Sequence, residues 1–246
     1  MTDRPSILVP IRVLEGESVP EGVPDLLANA HVVLLGYHAI PEQTATGQAQ
    51  MQFEDRATER LDEYETMFEE AGATVERRLV FTHDGQKTID RITTEHGCLA
   101  ALVPNATGPV EDVLVAVRGA VGVDRLARVV AGLFGETDAS VTLYHVADAD
   151  TTDDDIETLL GGLVDRLADL GTDASAIETR VDRGDDVLDA IVDAADAFDV
   201  VVMGESDPSL ATFVFGMPAD QVADRFLGPV LVAQRESVPD DENSPE

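Results

Sequence analysis

The sequence has few of the residues that mark disulfide-linked, membrane-spanning or nucleic-acid-binding proteins. Among 246 residues it has one cysteine, Cys98, no tryptophan and only 4% aromatic residues. A single cysteine excludes an intrachain disulfide, and no apolar run approaches the ~20 residues that a membrane-spanning helix needs. The N-terminal segment lacks a basic stretch followed by an apolar run, so we expect no signal peptide and a cytoplasmic location.

Basic residues are also scarce. Lys and Arg number 16 against 49 Asp and Glu, the formal net charge is −33, and Lys87 is the only lysine. Such self-repulsion destabilises a compact state in dilute buffer, whereas in ~1 M salt the Debye length falls to about 3 Å. Because the acidic residues are spread along the whole chain, we expect a surface adapted to high salt, as in a halophile. An acidic patch that recruits a basic partner stays open, and nucleic acid is not an expected partner.

The chain repeats itself, which indicates two related units. ILVPIR at residues 7–12 recurs as VLVAVR at 113–118, and VVLLGYHA at 32–39 has a counterpart in SVTLYHVA at 140–147. The segments at 74–104 and 176–204 share a polar strand, an Asp/Gly turn, an amphipathic stretch and an apolar run. On this alignment His38 and His145 lie near the ends of equivalent strands.

The second half predicts strands and helices in alternation. Apolar runs of strand length alternate with apolar stripes at helical spacing, from DVLVAVRG at 112–119 to GPVLVAQ at 228–234. The predicted order is β-α-β-α-β-α-β-α-β, with a short fourth helix at 217–226. This order is typical of an α/β fold with a doubly wound parallel sheet.

The first half looks truncated. Its first helix is replaced by a Gly- and Pro-rich segment at 13–30, and the half ends after LAALVP without a fourth helix or fifth strand. We therefore predict a truncated α/β domain at 1–108, a complete one at 109–236 and a disordered acidic tail at 237–246. The two halves should pack against each other.

The second half of the sequence resembles a universal stress protein domain. The likeness rests on VLVAVRG, GDDVLDAI, DVVVMG and FGMPADQVADRFLGPVLV, in that order, and covers nearly all of residues 112–234. The first half resembles a truncated member of the same family. The whole chain is similar to the tandem universal stress proteins of salt-loving microbes, which implies an adenine-nucleotide α-hydrolase-like fold.

The resemblance implies a nucleotide loop after the fourth strand. Many members of the family bind ATP with a loop of pattern Gly, two residues, Gly, nine residues, Gly, then Ser or Thr. Here Gly204 and Gly216 match the first and third glycines, Asp207 replaces the second, and Met217 replaces the hydroxyl residue. The loop is also one residue short, an Asp would repel a triphosphate, and Met cannot donate a hydrogen bond. The candidate cofactor positions are therefore degenerate: Arg118, Gly119, Gly204, Glu205, Ser206, Asp207, Gly216 and Met217.

The family places an Asp at the end of the first strand, and both halves replace it with arginine, Arg12 and Arg118. In a doubly wound sheet the first and fourth strands are neighbours, so Arg118 and Glu205 should meet at the rim where ligands bind. Three interpretations stay open for Arg118. Arg118 could form a salt bridge that fills a ligand pocket no longer in use, bind an anionic ligand, or be surrounded by solvent.

The remaining groups of potentially reactive or metal-binding residues do not predict a further functional site. His96 and Cys98 have no second pair at ligand spacing, so no metal site is expected. Signature motifs of hydrolases and P-loop proteins are missing, and we predict no enzyme. We expect a non-catalytic stress-response regulator that acts through dimerisation and a protein partner, and a transporter is one class of partner to consider. The alternatives are an ATP-binding regulator and a weak nucleotide hydrolase. By analogy with the family, the homodimer should form through strand pairing at Pro229–Gln234.

Overall fold

The computed structural model describes residues 4–43, 45–119, 122–204 and 228–234. Its strands are β1 Ser6–Arg12, β2 His31–Ala39, β3 Thr74–Thr82, β4 Ala100–Val103, β5 Asp112–Ala116, β6 Ser140–Ala147, β7 Ile177–Arg183, β8 Val200–Gly204 and β9 Val230–Ala233. Its helices are α1 Val23–Leu26, α2 Thr46–Ala71, α3 Gly85–Glu95, α4 Val123–Phe134, α5 Asp153–Asp169 and α6 Val187–Ala195, with one 3₁₀ turn at Ala174–Ala176.

All these strands form one sheet in the order β3-β2-β1-β4-β9-β8-β5-β6-β7. The first four are mutually parallel, the last five are mutually parallel, and β4 meets β9 in the antiparallel sense. The predicted α/β fold with a doubly wound, mostly parallel sheet is confirmed. Because the two halves run in opposite directions, the carboxyl ends of their strands lie at opposite edges of the sheet.

The helices cover the sheet in two layers. On one face α1, α2, α4 and α5 pack over a hydrophobic cluster that runs through both halves of the chain. On the other face α3 and α6 cover two smaller clusters, one in each half. Strands that are covered on both faces are apolar along their whole length, as the buried runs of β5, β8 and β9 are.

The erosion of the first half is confirmed. Its first helix is the single turn α1, and β4 is followed by a loop at 104–111 that leads directly into β5. The second helix, α2, is a full amphipathic helix, since one of its sides is buried along Ala57, Leu61, Tyr64 and Phe68. The predicted division at residue 108 falls within the loop between β4 and β5. The predicted helix at 217–226 and the acidic tail lie outside the described residues.

The dimer predicted through Pro229–Gln234 is wrong in its strand pairing. Both hydrogen-bonding edges of β9 are taken within the chain: Val201 to Gly204 pair with one edge, and Ala100 to Val103 pair with the other. The first half therefore supplies β4 at the place where a second copy was expected. Backbone N–H and C=O groups that are already paired cannot form a further ladder.

The repeat alignment at the second strand is also off by one residue. Ile7 pairs with Val32 and Val113 pairs with Val141, so Val32 corresponds to Val141 rather than to Ser140. His145 therefore occupies the place of Gly36, whereas the sequence alignment places it opposite Tyr37. At Gly36 a Cβ would approach Leu61 Cδ1 to 2.8 Å, because α2 packs closely there.

A carboxylate fixes the junction between the halves. Asp199 Oδ2 accepts hydrogen bonds from the backbone N–H groups of Glu111 and Asp112, at 2.8 and 2.9 Å. Nearby, Gly22 has φ 82°, and a Cβ there would lie 2.0 Å from the carbonyl oxygen of Thr107. Only glycine fits that position, so the linker and the start of α1 are held in close contact.

Candidate functional site

The second unit brings three of the predicted site residues to one end of two neighbouring strands. Strands β5 and β8 run parallel, with Ala116 opposite Met203. Gly204 ends β8, while Arg118 and Gly119 follow β5, so all three lie at the carboxyl edge where open α/β sheets bind ligands. The side chain of Arg118 is exposed. The other predicted positions, Glu205, Ser206, Asp207, Gly216 and Met217, lie outside the described residues.

The first unit has an equivalent edge, and there the arginine is surrounded by its own chain. Arg12 Nε donates to Tyr37 Oη at 3.0 Å, and its guanidinium lies 3.6 Å from Glu15 and 3.7 Å from Glu17. The backbone N–H of Arg12 donates to Glu17 Oε2 at 2.8 Å. The hydrogen bond to Tyr37, followed by the nearby carboxylates, raises the pKa of Arg12, and burial raises the pKa of Tyr37.

The two carboxylates belong to a strap, residues 13–19, that precedes the shortened first helix α1. Val13 and Val19 anchor its ends in the core. Between them the carbonyl of Glu17 accepts a hydrogen bond from Tyr64 Oη of α2 at 2.9 Å. The strap thus places carboxylate oxygens near both the strand-end amide and the guanidinium of Arg12.

No model of a known protein family matches this chain, and no curated protein sequence matches it. Among solved structures, a universal stress protein from Archaeoglobus fulgidus DSM 4304 aligns over 94% of this chain and 96% of its own, at 17% identity and TM-score 0.59. The chain has the universal stress protein fold. A candidate universal stress protein from Pseudomonas aeruginosa UCBPP-PA14 aligns over 96% and 95% of the two chains, at 15% identity and TM-score 0.51.

The recognition made from the sequence is therefore confirmed at the level of the fold. A further universal stress protein, solved in complex with cAMP, aligns over 51% of this chain and 98% of its own, at 22% identity and TM-score 0.40. At that TM-score the likeness carries no inference about a ligand of the present chain.

Within this universal stress fold, His145 lies beside the candidate site of the second unit. Its Nδ1 lies 2.7 Å from the carbonyl oxygen of Val117, one residue before Arg118. A carbonyl only accepts, so Nδ1 carries a proton and donates. The ring is buried, and Nε2 has no hydrogen-bond partner among the described residues. His145 is thus a residue near the end of β6 with a local hydrogen bond to the neighbouring strand end.

His38, in the first unit, has a different environment. Its ring packs edge-on against Phe53 and Phe81, with ring centroids 5.8 and 6.1 Å apart, and its Nδ1 lies 3.9 Å from Glu15 Oε1. The histidine therefore packs between aromatic rings under the strap. It adds to the closure of the first unit's edge.

A second polar cluster, which the sequence analysis missed, lies on β6 and β7. Tyr144 Oη donates to Asp182 Oδ2 at 2.8 Å, and Arg180 lies 5.1 Å from the centre of the Tyr144 ring while pairing with Asp182 at 2.9 Å. Burial, with the hydrogen bond to Asp182, raises the pKa of Tyr144 to about 12. The alternation of Arg180, Val181 and Asp182 was the available signal, since residues two apart share a face of a strand.

The structure gives no support to a site built on His96 and Cys98. His96 Nδ1 lies 3.2 Å from Glu76, its Nε2 accepts from Arg78 at 3.1 Å, and Cys98 is buried. Within residues that the structure describes, no group of three or more His, Cys, Asp or Glu could hold a metal ion. Over the same residues no helix is long and apolar enough to span a membrane.

Proposed function

We propose that this protein is a non-catalytic regulator of the universal stress type, whose first half serves as a built-in partner for the second. The observation that carries the proposal is the closed edge of the first unit. Arg12 already contacts Tyr37, Glu15 and Glu17, so an anionic ligand would have to displace two carboxylates that its own chain supplies.

The joined sheet supports the same function. β4 completes the edge of β9, so the first half contributes structure to the second unit even though its own ligand position is filled. The degenerate loop at 204–217 adds to this, because it keeps only two of the four anchor residues of the family pattern. A regulator that works through contacts with other proteins needs neither turnover nor a complete nucleotide loop. We infer a cytoplasmic location and a protein partner, with a transporter as one class to test.

A second candidate function is ATP binding by the second unit alone. Its support is that Arg118, Gly119 and Gly204 come together at adjacent strand ends, where family members hold nucleotide. Glycines allow backbone amides to approach phosphate oxygens closely. This candidate requires that Arg118 contributes to binding in place of the family's Asp.

Titration calorimetry with ATP and Mg²⁺ in multimolar KCl separates these functions. The regulator without nucleotide predicts no heat of binding at millimolar ATP and no hydrolysis. Saturable binding that Arg118→Ala abolishes would establish the second candidate. The matched control is Arg128→Ala, which removes an exposed arginine on α4 away from the strand ends. Turnover that depends on Arg118 would overturn the non-catalytic assignment.

A further inference from the structure

The outer strand β7 is unusually open. It ends the sheet, and no described segment pairs with its outward edge. Residues 178–181 are all exposed, including Val181, whose exposed fraction is 40%. An unpaired edge with an exposed apolar side chain is a template for pairing with another strand.

The outer strand of the first unit, β3, also ends the sheet with no described segment on its outward edge, but the face of β3 is covered by a helix. Val32 pairs with Val75 and Val141 pairs with Ile177, so Arg77 corresponds to Thr179 and Leu79 to Val181. The long helix α2 reaches over β3, where Arg77 forms ion pairs with Asp62 and Glu65, and Leu79 packs against the core. The shorter helix α5 leaves the equivalent part of β7 uncovered.

A groove separates α5 from β7. Its volume is about 450 Å³, and its apolar lining comes from Ile156, Leu160, Val164 and Val181. Gly161 also lines it, in the middle of α5, and nothing lies within 4 Å of the position its Cβ would take. A glycine in a helix interior costs about 1 kcal/mol relative to alanine. Packing within the described chain does not require it, so the residue fits a close approach from outside.

The side chains of β7 are complementary to those of a second copy of β7 that runs antiparallel to it. Residues Ile177, Thr179 and Val181 face the α5 side, while Glu178 and Arg180 face the side of Tyr144, because Thr142 pairs with Glu178 and Tyr144 with Arg180. If two β7 strands meet in the antiparallel sense with Thr179 on the two-fold axis, Glu178 lies opposite Arg180 of the second copy. Ile177 then lies opposite Val181. Opposite charges and apolar pairs directly across strands are both stabilising.

We propose that two copies of this chain associate through β7, extending the sheet across a two-fold axis at Thr179, with the α5 helices approaching at Gly161. The interface has two Glu178–Arg180 pairs on one face and two Ile177–Val181 pairs on the other. An acidic protein partner would meet repulsion from a chain of net charge −33, and so would a second copy elsewhere on its surface. At β7 the second copy brings its own arginines to the opposing glutamates.

The predicted Glu178–Arg180 pairs allow the dimer to be tested by charge reversal, because a double reversal should restore the pairing that each single reversal breaks. We expect light scattering after size exclusion in multimolar KCl to give twice the chain mass of 26.3 kDa at micromolar concentration. Arg180→Glu and Glu178→Arg each place like charges opposite, and each should weaken the dimer by about tenfold or more. The double variant, E178R with R180E, should restore it, because contact pairs within an interface are screened less than exposed charges.

The groove gives an independent test. Gly161→Met should weaken the dimer, whereas Gly162→Met, at a neighbour that does not line the groove, should leave it intact. Arg91→Glu is the control for charge reversal, since it breaks an exposed pair with Glu95 in the first unit. Circular dichroism confirms that each variant is folded.

Three results would overturn the proposal. The first is a wild-type chain that stays monomeric up to the highest soluble concentration. The second is a dimer that survives both single charge reversals. The third is a folded double variant that fails to regain association although Asp182→Ala, which also breaks the pair of Arg180 within the chain, leaves the dimer intact, since this would exclude the register centred on Thr179.

Discussion

At the scale of single residues, Tyr144 links stability to alkaline pH. Its pKa rises to about 12 in the folded protein from an ordinary value of 10.0. A group whose pKa is raised on folding contributes stability that is complete below its unfolded pKa and is lost as the pH rises through its folded pKa. We expect the free energy of unfolding to fall between about pH 10 and 12, by about 1 to 2 kcal/mol, because the phenol oxygen meets an ion pair that is itself exposed to solvent.

Denaturant titrations at constant multimolar KCl test this, with Tyr144→Phe as the variant that removes the contribution of Tyr144 to the slope. Burial also raises the pKa of Tyr37, so the difference between wild type and Y144F is the quantity that reports on Tyr144. A slope that is the same in wild type and Y144F would show that Tyr144 does not carry the effect.

Asp199 is the residue that fixes the junction between the halves. Because Oδ2 accepts from two backbone amides at a solvent-accessible position, where water can replace the lost acceptor, Asp199→Ala should lower the free energy of unfolding by about 1 kcal/mol. Asp199→Asn keeps an oxygen acceptor and should lose less. Equal losses in the two variants, measured by guanidinium denaturation, would argue against the role of the hydrogen bonds.

At the scale of elements, β9 holds the two halves together. Leu231 is fully buried in β9, opposite Leu102 of β4. We expect Leu231→Ala to cost about 2 to 5 kcal/mol, as is usual for truncation of a buried leucine. Met51→Ala on α2, where the side chain is 84% exposed, is the matched control and should change little. A small effect at Leu231 would contradict the internal pairing of β9.

The sequence predicted most of these elements because their signals are local. Alternation of buried runs with helical stripes located β5, α4, β6 and α5, and the Gly- and Pro-rich stretch located the eroded first helix. The Asp/Gly turn in the segment 176–204 located the start of α6 less closely, since the helix begins at Val187 with Asp186 as its cap. Capping residues define such an end within a few positions only.

The remaining features depend on contacts between distant parts of the chain. The pairing of β9 with β4 joins residues more than a hundred positions apart, and no local pattern distinguishes it from pairing with a second copy. Glu15 and Glu17 reach Arg12 from a segment without periodicity, so their role is visible only in the folded chain. The strand-end positions Arg118, Gly119 and Gly204 were predictable because strand order alone brings them together.

At the scale of the whole molecule, charge and shared packing set the conditions for folding. One hydrophobic cluster runs through both halves, so we expect a single cooperative unfolding transition in multimolar KCl. Lowering the salt to ~0.1 M lengthens the Debye length to about 10 Å, so repulsion among the charges that sum to −33 is less screened. Circular dichroism should show a large loss of stability on dialysis to dilute buffer, and unchanged stability would contradict the predicted adaptation to salt.

In this universal stress fold, carboxylates of the chain itself surround Arg12 at the strand ends of the first unit, and the second unit keeps only part of the family's nucleotide loop in its sequence. We propose that the protein works without a bound nucleotide. The most direct measurement is the nucleotide content of protein purified in multimolar KCl, released by denaturation and identified by mass spectrometry. The proposal predicts no adenine nucleotide above trace amounts. One equivalent of adenine nucleotide per chain would contradict it, and loss of that nucleotide in Arg118→Ala would assign binding to the edge formed by Arg118, Gly119 and Gly204.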